Sequence, residues 1–258
     1  MKERVITAIC LLVVALPLIY FGGYWFVGLG LVAASIAIFE MMAMYDNAVK
    51  VAFINKVLTL MATLSLVFMF GHDVGRLIYP VFFFVLLIQV FLKKMDMDTF
   101  GFYGSSVVYI GFSFRALLEI RNHSLTLFIF LIVIVILTDT MAYFTGRFFG
   151  KRKLAPKVSP NKTVEGAIGG WLAGAAFALI FGLSQNLFTY IWVLIVLAVG
   201  LPILSQLGDL LASALKRKYG IKDYGKLFPG HGGVMDRVDS QLLAAILIYI
   251  MILIGGVL

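Results

Sequence analysis

The chain has 258 residues, 62% of them hydrophobic and 13% charged, with a mean hydropathy of +1.04 and a formal net charge of +8. A soluble domain carries roughly 25% charged and 45–50% apolar residues, so the composition excludes a water-soluble globular enzyme and leaves a polytopic membrane protein. At about 20 residues per span plus short loops, the length corresponds to roughly eight to ten helices in one unit.

The N-terminus, Met1-Lys-Glu-Arg followed by an apolar run, has the outline of a signal peptide. It shows no small-x-small cleavage site and further apolar runs follow at once, so it reads as a retained first helix. Apolar runs separated by charge or by Gly, Pro and Asn predict nine spans, at about 5–22, 24–45, 51–70, 77–92, 102–120, 125–149, 164–184, 188–215 and 240–258. Gly104, Ser105, Ser106, Gly111 and Ser113 dilute the fifth. The runs are continuously apolar rather than alternating, which argues against a membrane β-barrel. The expected fold is therefore all-α and integral to the membrane: a bundle of about nine transmembrane helices, with spans one to five in residues 1–120 and spans six to nine in 121–258, forming one folding unit. Cys10, the only cysteine, lies in an apolar run and permits neither an internal disulfide nor a thiolate metal site. No internal repeat and no low-complexity linker is present.

Basic residues set the expected orientation. Arg147, Lys151, Arg152, Lys153, Lys157 and Lys162 follow span six, and Lys216, Arg217, Lys218, Lys222, Lys226 and Arg237 follow span eight. These hold twelve of the 21 basic residues, which places both loops on the cytoplasmic side. Alternation then puts the N-terminus, Lys50 and the Lys93-Lys94 loop on that side too, and the uncharged Gly22-Gly23 and Gln185-Asn186 turns outside. The net charge is accounted for largely by topology, and nucleic-acid binding need not be invoked. His72 and His123 fall near expected external turns and carry no functional reading.

Three constellations can carry chemistry. At the end of span six, Asp139, Tyr143 and Arg147 are spaced i, i+4 and i+8 on one helical face. Asp139 lies roughly 12 Å of helix from Arg147 at 1.5 Å rise per residue, and an intramembrane carboxylate is costly enough to be a functional candidate. In the loop after span six, Ser159 or Thr163 can cap span seven, with Glu165 in its first turn. That helix start, flanked by Lys157 and Lys162, suits a phosphate or polyphosphate; Lys151, Arg152 and Lys153 read better as topology anchors touching anionic head groups.

The third constellation is a polar block, Ser213 to Asp239, with six basic residues, one His and three Asp in 27 positions. Asp209, Ser213, Lys216 and Arg217 share a face of span eight. Pro229-Gly-His-Gly-Gly233 is a tight turn that lets backbone approach a ligand. His231 can serve as a general acid or base, a phosphate donor, or a turn residue. Asp236 and Asp239 open span nine. Carboxylates from spans six, eight and nine can meet on one Mg2+ or on a pair of cations, the second one such as K+, since Mg2+ takes one or two carboxylates plus substrate phosphates.

The polar block resembles the signature of the phosphatidate cytidylyltransferases, or CDP-diacylglycerol synthases. The matching elements are Ser213, Lys216-Arg217, Lys222-Asp223, Gly225, His231-Gly232-Gly233, Asp236-Arg237 and Asp239. Asp139-x-x-Ala-Tyr-x-x-Gly-Arg147 and Ser159-Pro-x-Lys-Thr-x-Glu-Gly166 resemble the same family in the same order. The likeness is strongest over residues 137–240; the first 100 residues match only as membrane spans. Two positions depart from the pattern: Ala212, where the family often has Glu, and Tyr224, where it commonly has Ser.

The resemblance implies a Mg2+-dependent reaction in which phosphatidic acid and CTP give CDP-diacylglycerol and pyrophosphate, carried out by a homodimer. It implies a cation held by Asp209 and Asp236 with Asp139 or Asp239 assisting, and phosphates positioned by Lys162, Lys216, Arg217, Lys222 and Arg237. Tyr143, Arg147, Ser159, Thr163, Ser213, Asp223, Gly232 and Gly233 complete the expected substrate contacts. Two other readings compete: a CTP-dependent kinase of polyprenol or phytol, and an anion transporter. The transporter would predict ionisable residues near the bilayer midplane and paired inverted repeats, whereas the polar residues here gather at one end of the spans.

Overall fold

The computed structural model describes residues 2–68, 73–230, 232–255 and 257. His72 and His231, and the side chain of Cys10, lie outside the described residues. Nine α-helices occur among them: α1 (Lys2–Phe21), α2 (Gly23–Asp46), α3 (Phe53–Phe68), α4 (Asp73–Phe91), α5 (Met97–His123), α6 (Leu125–Phe149), α7 (Val164–Ser184), α8 (Ile191–Lys218) and α9 (Met235–Leu253). Each falls on an apolar run of the sequence. Four of them, α2, α6, α7 and α8, are long and apolar enough to cross a membrane.

The expected boundaries shift where polar groups find local partners. α5 is longer than its apolar run, because the Ser105 and Ser106 hydroxyls both donate back to the Phe102 carbonyl at 2.9 and 2.7 Å instead of competing with the helix. α6 keeps its expected bounds, starting at a Ser124 N-cap whose hydroxyl accepts from the amides of Thr126 and Leu127. α9 starts five residues before the expected 240, at Met235. An unexpected element lies between α6 and α7: an antiparallel hairpin of β1 (Lys153–Ala155) and β2 (Ser159–Thr163), pairing Lys153 with Thr163 and Ala155 with Ser159. The all-α membrane class holds, with this short hairpin as an added element.

The chain groups into two compact units, one of residues up to Glu119 with Tyr219–Arg237, the other of Ile120–Lys218 with Val238–Leu258. In the first unit Tyr45 on α2 is buried, stacks on Phe102 of α5 with centroids 4.5 Å apart, and packs its ring 5.7 Å from that of Tyr219. Asp46 at the end of α2 pairs with Lys56 and accepts a hydrogen bond from Tyr103.

The second unit is organised by the contact of α6 with α7. Gly166, Gly170, Gly174, Ala178 and Gly182 recur every four residues and are all buried, forming one smooth face of α7. A Cβ at Gly170 would lie 2.5 Å from the Thr138 carbonyl oxygen and 2.8 Å from the Ala142 Cβ, and one at Gly166 would lie 2.6 Å from the Ala142 carbonyl oxygen. Gly174 gives the same room to Pro202 of α8. Trp171 donates to the Val199 carbonyl at 3.2 Å and Gln206 to the Ala167 carbonyl at 3.2 Å, so α7 and α8 are also tied by polar bonds. Replacing Gly170 with Ile forces α6 and α7 apart. Thermal unfolding in detergent should show a loss of about 1–3 kcal/mol, the usual cost of overpacking, while Ile180→Leu on the exposed face of α7 leaves it unchanged.

Candidate active site

In the second unit the site begins with the hairpin. Glu165, in the first turn of α7, accepts the amides of Lys151 and Arg152 at 3.0 and 3.1 Å, which pins the start of the hairpin to the helix. The Thr163 hydroxyl accepts the Gly166 amide at 3.1 Å and caps α7. Thr163 is the cap; Ser159 instead lies in β2 opposite Ala155. Its neighbours Gly146 and Gly150 have no room for a Cβ because Thr163 Oγ1 would be 2.8 Å from either one.

With the cap held, Lys162 is aimed at α8. Its Nζ lies 2.5 Å from Asp209 Oδ2, and Ser213 donates to the other Asp209 oxygen at 3.3 Å. Asp139 on α6 is half-buried and feels the charges of Asp209 and Lys162 and the dipole of the Ser240 hydroxyl. One cavity of about 420 Å³ is lined by Asp139, Lys162 and Asp209 together with Tyr143, Arg147, Thr163, Asn161 and Gln206. Arg147 donates to the Tyr143 hydroxyl at 3.0 Å, so the face expected from i, i+4 and i+8 spacing is occupied. Arg217, next to Lys216 in the last turn of α8, donates to the Val158 carbonyl in the hairpin at 3.4 Å. Gly208 packs against the backbone of Asp239 and Ser240. Asp239 is buried there, and its Oδ1 accepts the Ser240 amide at 2.8 Å.

In the first unit the polar turn is shaped by backbone bonds. Phe228 donates to the Gly232 carbonyl at 2.9 Å, and Gly230 and Gly232 hold φ of 73° and 80°, a region open mainly to glycine. Asp236 Oδ2 accepts the amides of Tyr224 at 2.8 Å and Gly233 at 3.0 Å. Lys222 and Asp223 are exposed and border a second cavity of about 420 Å³ with Asn47 and Lys226. Tyr224 is buried, Arg237 is exposed in the first turn of α9, and Ala212 is fully buried on α8 in the second unit.

Comparison with known proteins bears on what these groups serve. The profile of the cytidylyltransferase family matches residues 2–254. A protein of Staphylococcus epidermidis named phosphatidate cytidylyltransferase is 35% identical over 262 residues, covering 98% of this chain and 99% of the relative. One of the same name from Bacillus subtilis is 36% identical over 265 residues, covering 98% and 97%. One from Staphylococcus aureus is 33% identical over 264 residues, covering 98% and 99%. The chain belongs to the cytidylyltransferase family.

In this cytidylyltransferase-family protein, sequence reasoning passed over Asn161, Gln206 and Glu40. Asn161 stands inside the Ser-Pro-x-Lys-Thr stretch and Gln206 is three residues before Asp209 on an apolar helix; polarity in those settings was the available signal. Glu40 is a lone acid deep in α2 whose oxygens accept the amides of Val234 and Met235. Among the described residues, no group of three or more His, Cys, Asp or Glu side chains forms a ready cation cage. Removing the Thr163 hydroxyl should test how the site is held. Thr163→Ala is expected to lower stability by about 1 kcal/mol, measured by unfolding in detergent, and Thr163→Ser should restore it.

Proposed function

We propose that this protein transfers the cytidylyl group of CTP to phosphatidic acid, giving CDP-diacylglycerol and pyrophosphate. The observation that carries the reading is the cavity where Asp139, Lys162 and Asp209 come together, in a chain that matches proteins named for that reaction almost end to end. All nine helices cross the bilayer in this reading, and the basic loops and the site face the cytoplasm, where CTP is found. The lipid enters from the bilayer, and the working unit is a homodimer.

The reaction needs no covalent enzyme intermediate. A phosphate oxygen of phosphatidic acid attacks the α-phosphorus of CTP. The bond from that phosphorus to the bridging oxygen of the β-phosphate breaks, and pyrophosphate leaves with the electron pair. A phosphate monoester dianion is already nucleophilic, so the protein's work is positioning and charge stabilisation. Lys162 is restrained by the capped hairpin and offers its ammonium to the phosphates, and Arg147, Lys216 and Arg217 supply further positive charge. Preorganised donors of this kind are effective because they need not reorient as charge develops.

The donor set in the cavity fits Mg2+. Asp139 and Asp209 are two hard oxygen donors in one cavity, and Mg2+ commonly takes one or two carboxylates with substrate phosphates completing its shell. Asp139 and Asp209 would hold it, with Asp239 nearby in the same unit and a second cation such as K+ beside it. Bound there, it would neutralise charge on the transferring and leaving groups. Asp236 retains a candidate ligand role, with its Oδ2 engaged by the Tyr224 and Gly233 amides.

The assay is protein in detergent with phosphatidic acid, Mg2+ and CTP labelled at the α-phosphate. Label in a lipid product with pyrophosphate release is expected. Label only when it is placed on the γ-phosphate would point to a lipid kinase, and no labelled lipid under varied metal conditions would sink the reading. Asp209→Asn should cut turnover by about 100-fold or more, on the scale of losing one preorganised electrostatic group, in protein that unfolds like the wild type. Near-normal turnover would remove Asp209 from the site.

A further inference from the structure

Glu40 sits in α2, a helix of mean hydropathy 2.0, and is 7% exposed. A carboxylate in such a helix is expensive unless both oxygens are satisfied. Here the satisfaction comes from backbone far along the chain: Oε1 accepts the Val234 amide at 2.9 Å and Oε2 the Met235 amide at 2.8 Å. Met235 is the first residue of α9, so Glu40 supplies acceptors to amides that a helix start leaves unpaired, and sets a negative charge at its positive end. Two glycines of the polar block make room for it. A Cβ on Gly225 would lie 2.5 Å from Glu40 Oε1, and Gly233 is packed against the same carboxylate.

Asp236 completes the arrangement by accepting the amides of Tyr224 and Gly233. Four amides of the block, at Tyr224, Gly233, Val234 and Met235, are therefore held by two carboxylates, one of them supplied by the N-terminal helices. We infer that Glu40 is a positioning residue for cytidylyl transfer, fixing the backbone of the first unit's glycine-rich turn for an encounter with CTP. This rests on the cytidylyltransferase reading above. Glu40 does not touch substrate; it acts through the turn. It also gives α2 a part in the chemistry that its apolar sequence does not announce.

The chemistry of the side chain makes the role testable. A carboxylate offers two acceptors, whereas the isosteric Gln offers one acceptor and one NH2 donor. In Glu40→Gln one of the two amides therefore faces a donor, with volume and hydrophobic packing preserved. Protein purified in detergent should be compared with wild type by thermal unfolding, by hydrogen exchange of the peptide spanning 229–237, and by kinetics with each substrate varied in turn. Exchange at Val234 and Met235 should rise at least about tenfold. kcat/KM for CTP should fall about 10- to 100-fold, the scale expected when a positioning group is displaced, while KM for phosphatidic acid changes less than about twofold.

Folded Glu40→Gln protein with wild-type exchange and wild-type CTP kinetics would overturn the inference. An equal loss towards both substrates, tracking the unfolded fraction, would make Glu40 a stability residue and overturn it as well. Should Glu40→Gln not fold, Gly225→Ala keeps the carboxylate but pushes it from its place, and the same pair of signatures is expected; their absence decides against the proposal. Wild-type protein that yields no labelled lipid would count against the reaction, not the clamp, because the exchange measurement reads the clamp alone.

Discussion

The second unit depends on how closely two helix backbones can approach. Leu and Ile side chains gain little by leaving lipid for another helix, because both surroundings are equally apolar, so helix pairs in a bilayer hold through close packing. α7 meets this condition with Gly166, Gly170 and Gly174 on one face, seated against Thr138 and Ala142 of α6 and Pro202 of α8, and with Gly182 on the same face against Leu194 of α8. Glycine inside a helix costs roughly 0.5–1 kcal/mol relative to Ala, so the face is retained for what it permits. The same seam runs up to Thr163, where it becomes the helix cap, and the cap holds the hairpin whose last residues carry Lys162 to Asp209.

Polar groups in the first unit obey a complementary rule. Where burial is unavoidable, carboxylates are met by backbone amides in pairs: Glu40 by Val234 and Met235, Asp236 by Tyr224 and Gly233. A charged acceptor with two short N–H donors is among the strong hydrogen-bonding arrangements. It also converts a loop rich in glycine, which has the most conformational freedom to lose, into a defined turn. Outside the glycine seam and these pairs, much of the apolar surface is exposed: Ile180 at 71%, Phe148 at 71% and Phe91 at 78%, as befits helices meant to face lipid.

The helices were legible because an apolar run of about 20 residues has few alternatives, and each helix lies on such a run. Their ends were less so. α5 outgrew its run because serine hydroxyls bonded within the helix, and α9 began early because Glu40 and Asp236 stabilise the backbone before it. The hairpin was not legible, since Ser159-Pro-Asn-Lys-Thr163 has one β-branched residue and a proline; its pairing is enforced by Glu165 and by the cap. Asp139 and Asp209 were legible as charge at helical spacing and Lys162 as charge beside a helix start, and the three line one cavity. Glu40 was not, because a single acid in an apolar run carries no spacing from which its distant partner can be read.

The glycine face of α7 also divides that helix in terms of sequence drift. Positions 166, 170 and 174 face backbone or side-chain atoms that leave no space for even a methyl group, so substitution there is closed without movement of a neighbouring helix. Ile168, Leu172, Ile180 and Leu183 on the open side are 52–71% exposed and meet only a requirement to be apolar. Divergent copies of this helix would differ freely along one edge while repeating glycine along the other. Hydropathy alone would rate the two edges alike, though only one of them is shaped by a neighbour.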